Sequence, residues 1–127
     1  MTNKDITPTD PLNDYERATL LPIMVKSLQT KRGKDKAVTN SAMRLGLMEH
    51  GYMKVSEARI RKIINHIRTN GLVECLVATS EGYFVSDDVQ EVEKYIETLK
   101  SRENAIRAMR EHVEEQCEDL RKRTSKN

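Results

Sequence analysis

The 127-residue chain has no tryptophan and one phenylalanine, so any core it builds must be small, aliphatic and methionine-containing. Its two cysteines, Cys75 and Cys117, stand far apart, which excludes a disulfide scaffold and a cysteine-rich zinc site. They read as reduced thiols of a cytoplasmic protein. No run of about 18 apolar residues occurs, so no membrane span is expected. Residues 1–14 lack the apolar stretch of a secretion signal. Glycine is too sparse for a phosphate-cradling loop, and the segment Lys31–Lys36 (KRGKDK) has no Gly-Lys-Ser/Thr ending. No nucleophile elbow is present. His50, His66 and His112 show no ligand spacing to one another or to a thiol. The expectation is therefore a protein that is not an enzyme, with no cofactor, no metal and no small-molecule substrate.

What the chain does have is charge, and it is segregated. Residues 26–68 hold eleven Lys and Arg against three acids, a local net of +8. Residues 81–120 hold twelve acids against five bases, a net of −7. Such a division gives one part of the molecule a positive field suited to a polyanion.

Along the chain, residues 1–13 read as a flexible polar tail containing Pro8 and Pro11. Apolar residues from Ala18 to Leu28 predict a helix over 14–30 with a broad buried face, kinked or restarted at Pro22. Thr39 or Asn40 caps a short second helix, on which Ala42, Leu45 and Met48 (with Leu47) form the apolar side. Ser56 caps the clearest helix, Glu57–Asn70, where Ile60, Ile63, Ile64 and Ile67 fall at i, i+3, i+4 and i+7 before Gly71. The runs 72–78 and 83–85 are β-rich and flank the four-residue turn Thr79-Ser80-Glu81-Gly82. A long helix over 87–121, for packing and dimerisation, carries a stripe spaced alternately by three and four from Val89 to Leu120. Residues 122–127 read as a disordered basic tail.

Three helices, a hairpin and a long helix give a mainly α class with the element order of a winged helix-turn-helix, its winged-helix domain over 14–86. The third helix of such a motif enters the major groove of DNA. Its non-isoleucine face presents Lys62 and Asn65, flanked by Arg59 and Arg61. Arg and Lys read guanine, Asn reads adenine, and Ser and helix amides hold phosphates. The expected contacts are Ser56, Arg59, Lys62 and Asn65 on bases or phosphates, with Arg44, Lys54 and Arg61 on the backbone. Engaging five to seven phosphates predicts a log–log salt slope of roughly −4.5 to −6. The acidic turn residue Glu81 argues against a wing that grips phosphate.

The run VSEARIRKIINHIRTNGLVECLVATSEGYFVSDDVQEVEKYIETLKSRENAI (55–106) resembles the winged-helix module of small phage and prophage proteins. More distantly, it is similar to the N-terminal domain of biotin-operon-repressor-type regulators. The matching positions include Val55, Ser56, Arg59, Ile63, Ile64, Arg68, Gly71, Gly82, Tyr83 and Arg102. The likeness covers roughly residues 38–108 and implies a double-stranded-DNA-binding regulator or replication accessory protein of phage or mobile-element type. The alternative is a protein–protein interaction module that assembles through the long helix. Leu99, Ile106 and Val113 are its expected oligomerisation residues. A homodimer would offer two recognition helices to half-sites about 34 Å apart.

Overall fold

The computed structural model describes residues 10–125. Residues 1–9, most of the expected N-terminal tail, lie outside the described residues, as do 126 and 127 of the C-terminal tail. The chain divides into two units, one ending at Val92 and one beginning at Glu93.

The first unit opens with a reciprocal cap. Asn13 Oδ1 accepts from the Glu16 amide at 2.8 Å, and Glu16 Oε1 accepts from the Asn13 amide at 2.8 Å. This is a capping box, in which two amide donors at the start of a helix satisfy each other's residues. Helical backbone follows from residue 14 and widens into one π-type turn, Glu16–Leu20, before helix α1, Leu21–Gln29. Pro22 explains the widening. It has no amide hydrogen for the bond back to Ala18, and its ring crowds the carbonyl four residues earlier. The Leu21 amide reaches Glu16 O instead, and the helix continues past the proline. The start of the fold lies earlier than expected: Leu12 is buried and Pro11 O accepts a bond from Lys62, so the chain already engages the core before residue 14.

Helix α2 (Asn40–Glu49) is capped by Thr39, whose hydroxyl accepts from the Ala42 amide. Its buried side is Met43 and Leu47, while Ala42, Leu45 and Met48 face solvent. The expected apolar face is thus corrected by one residue of rotation. Arg44 is turned toward the segment just before α3, where its Nε donates to Val55 O at 2.8 Å. Helix α3 (Glu57–Thr69) is capped by Ser56, and its four isoleucines are all at most 1% exposed. Gly71 follows with φ 62°, the left-handed stop the sequence predicts.

The hairpin is shorter than its β-rich sequence. Strand β1 (Leu76–Thr79) pairs antiparallel with β2 (Gly82–Val85), leaving Ser80-Glu81 as the loop. A two-residue loop replaces the expected four, and residues 72–75 lie outside the strand, with Cys75 at φ 56°. The segment between α1 and α2 joins this sheet. Val38 and Tyr83 exchange both backbone hydrogen bonds, at 3.0 and 2.8 Å. Gly82 makes that approach possible: a Cβ there would stand 2.4 Å from Val38 O.

Helix α4 (Val89–Ser125) begins at Asp88, whose carboxylate accepts from the Gln90 amide. It carries no buried residue and runs through residues 122–125, which the sequence reading assigned to a disordered tail. Mainly helical, with one small hairpin and a long final helix, the class agrees with the sequence reading.

Candidate nucleic-acid interface

The basic residues of 26–68 divide into those engaged inside the first unit and those left on its surface. Lys62 is the clearest case of the former. It is 5% exposed, and its Nζ lies 2.6 Å from Glu16 Oε1. It also donates to Pro11 O at 3.3 Å. Arg59 places Nε 2.7 Å from Glu16 Oε2 and donates through Nη1 to Lys54 O at 2.8 Å. Its guanidinium carbon sits 5.9 Å from the centroid of the Tyr15 ring. Arg59 and Lys62, expected at DNA, are thus engaged by Glu16 of the same unit, Lys62 buried and Arg59 partly so. Both extend toward the π-type turn that precedes α1, where a fully buried carboxylate holds them.

Glu16 explains why. It has 0% exposure, and an ionised carboxylate without partners is costly in such a place. Burial pushes its pKa up, but the bonds from Lys62, the Asn13 amide and Arg59 outweigh that and hold it below the ordinary glutamate value.

Two more of the expected contacts are structural. The Ser56 hydroxyl accepts from the Arg59 amide at 3.1 Å as the α3 cap, and Arg44 is tied to Val55 O. Lys54 is exposed in a left-handed turn at φ 57°. Arg61 is exposed and Asn65 half-buried. At 100° per residue, Ala58, Arg61, Asn65 and Arg68 lie within an arc of about 80° on α3, opposite Ile63 and with Ile64 beside the Arg68 edge. These four are the residues of that line that solvent reaches.

Arg68 is the functional candidate missing from the sequence-derived set. Its guanidinium carbon lies 5.7 Å from the centroid of Tyr83 on β2, so the arginine spans from α3 to the hairpin. The signal was available: Arg68 stands seven residues after Arg61, two turns along the same face. On the hairpin, Glu81 lies 3.9 Å from Lys34, so the loop is acidic and engages a base of the neighbouring connector.

Among the described residues, no three His, Cys, Asp or Glu side chains are grouped so as to hold a metal ion. A groove of about 390 Å³ between α1 and α2 is lined by Ile23, Val38, Ala42 and Tyr52, with Lys31 and His50 among its polar groups. No helix among the described residues is long and apolar enough to cross a membrane. No protein-family model, curated protein or solved structure matches the chain.

Proposed function

We propose that the chain is a winged helix-turn-helix protein that binds double-stranded DNA by laying α3 in the major groove. The observation that carries this reading is the solvent-facing line of α3, Ala58, Arg61, Asn65 and Arg68. It combines a small residue for close approach with two arginines and an amide. Supporting it, three helices precede a hairpin whose second strand pairs back to Val38, giving a short third edge to the sheet. Lys54, at the turn before α3, is a phosphate contact. A regulator or replication accessory protein of phage or mobile-element type is the role such a small DNA-binding chain would serve.

The mechanism is electrostatic capture followed by groove reading. With Arg59 and Lys62 withdrawn, about three to five phosphates are engaged, and the log–log salt slope is roughly −3 to −4.5. The test is fluorescence anisotropy on a labelled random duplex at about 50 and about 200 mM salt. Micromolar binding that collapses at the higher salt, and is lost in Arg61→Glu/Arg68→Glu, is the expected result. Binding that ignores both salt and that substitution would overturn the reading.

A second reading has its own observation. Ile106, Met109 and Val113 on α4 are 64%, 64% and 56% exposed, which supports an interaction module assembling through α4. Loss of assembly on substitution at Leu99, Ile106 and Val113, without any DNA binding by the intact chain, would favour it.

A further inference from the structure

We infer that α4 is one half of an antiparallel two-stranded coiled coil whose other half is a second copy of this chain. The second unit is a single helix with no buried residue, yet its Leu99, Ile106, Val113 and Leu120 continue a strict seven-residue spacing that begins at Val92, the last residue of the first unit. A helix whose apolar seam stays in water gains little from tertiary packing, and such a repeat is the pattern that buries itself against another helix.

The residues between those five decide the orientation. The alternate seam positions run Ile96, Glu103, Arg110 and Cys117. In a parallel pair each would face its own copy, setting Glu103 against Glu103 and Arg110 against Arg110 in the seam. Arg102 would also oppose Arg107 along the edge. Turning the second helix round and centring the pair on Ala108 removes the seam clashes. Glu103 then lies one layer from the partner's Arg110. On the flanks, Glu93 meets the partner's Arg121, and Lys100 meets the partner's Glu114. The like charges left near the axis are Arg107 and Arg110, and Arg110 already holds Glu114 of its own helix at 2.8 Å. Sliding the pair by one heptad, to a centre between 104 and 105, sets Lys100 against Arg107 and Glu93 against Glu114. Charge therefore selects the register as well as the direction, and that register overlaps almost all of α4.

In this arrangement the two Val92 positions lie at opposite ends of the rod, about 48 Å apart at 1.5 Å per residue. On the DNA-binding reading, each end of the dimer would carry one copy of the recognition helix. That consequence rests on the proposed function, whereas assembly and direction are measured without DNA, so the two ideas fail separately.

The experiment uses the full chain with Cys75→Ser, leaving Cys117 as its single thiol. Sedimentation should give a dimer. Under mild oxidation Cys117 should form no intermolecular disulfide, because the two copies of it are about 27 Å apart along the rod. Adding Leu99→Cys places a thiol opposite the partner's Cys117, and a disulfide-linked dimer should then appear. Efficient cross-linking through Cys117 alone would establish a parallel pair and overturn the inference, as would sedimentation as a monomer. A chain that stays dimeric with Leu99→Cys yet does not cross-link would overturn the register. As a check independent of cysteine, Glu103→Arg should weaken the dimer roughly tenfold, and Glu103→Arg/Arg110→Glu should restore it. A parallel pair would show no such rescue.

Discussion

Lys62 Nζ stands 2.6 Å from Glu16 Oε1 inside the first unit, joining the middle of α3 to the first turn of the chain's first helix. Arg59 completes the pair on the other carboxylate oxygen. Lys62, which a helical wheel puts opposite the isoleucines, and Arg59 at the margin of that face are thus both fastened to the core. What they contribute is attachment of the N-terminal segment to α3. A buried ion cluster of this kind gives geometry more dependably than net stability.

Replacing Glu16 should accordingly do more harm than replacing either base. Glu16→Gln keeps a hydrogen-bonding side chain for the Asn13 amide but leaves Lys62 and Arg59 without their counter-charge. The expected loss is about 3–5 kcal/mol in urea unfolding. Lys62→Met, which leaves Glu16 paired with Arg59, should cost clearly less. Equal losses would contradict the central place given to the carboxylate.

The same carboxylate sets an acid limb. Because its folded-state pKa is depressed, its contribution is fully present above the unfolded value of about 4.3. It is lost as pH falls from there through the folded value. Stability measured from pH 7 downward should hold and then decline below about 4.3, with the decline shallower in Glu16→Gln. An unchanged acid limb in that variant would remove Glu16 as its source.

DNA affinity should follow the exposed line of α3 and not the buried bases. Arg61→Ala and Arg68→Ala should each weaken binding and reduce the salt slope by roughly 0.9 if the arginine contacts phosphate. Lys62→Met should leave the affinity per folded molecule unchanged. Anisotropy on one duplex, with the folded fraction checked by circular dichroism, separates the two outcomes.

Gly82→Ala should be costly although it adds one methyl. The position has φ 121°, and the new Cβ would meet Val38 O and Val38 C. Parting the Val38–Tyr83 bridge and straining the backbone should together cost about 2–4 kcal/mol. Thermal unfolding gives the value. A near-neutral result would mean that the connector does not depend on this sheet edge.

The positions of α3 and of the exposed arginines were within reach of the sequence for a simple reason. Four isoleucines at helical spacing point one way, so Asn65 must point the other, with Arg61 and Arg68 toward the edge of that face. The fates of Arg59 and Lys62 were hidden, since the direction each side chain takes depends on a group over forty residues away. A clue did exist in Leu12, Glu16, Leu20, Met24 and Leu28. These recur every fourth residue and are all buried, so the one acid among them required a cation. Reading 14–30 as generally apolar concealed it.

By itself the sequence determined the order of elements, the α2 and α3 caps, the isoleucine face, the left-handed stop at Gly71 and the apolar repeat of α4. All of these follow from interactions within a few residues, where spacing along the chain is spacing in space. Tertiary structure alone decided the one-residue rotation of α2, the shortening of the hairpin, the pairing of Val38 with Tyr83 and the withdrawal of Arg59 and Lys62. Each depends on contacts between distant segments: Arg44 reaching Val55, Val38 held by β2, and one buried carboxylate that must have its positive partners wherever the chain can supply them.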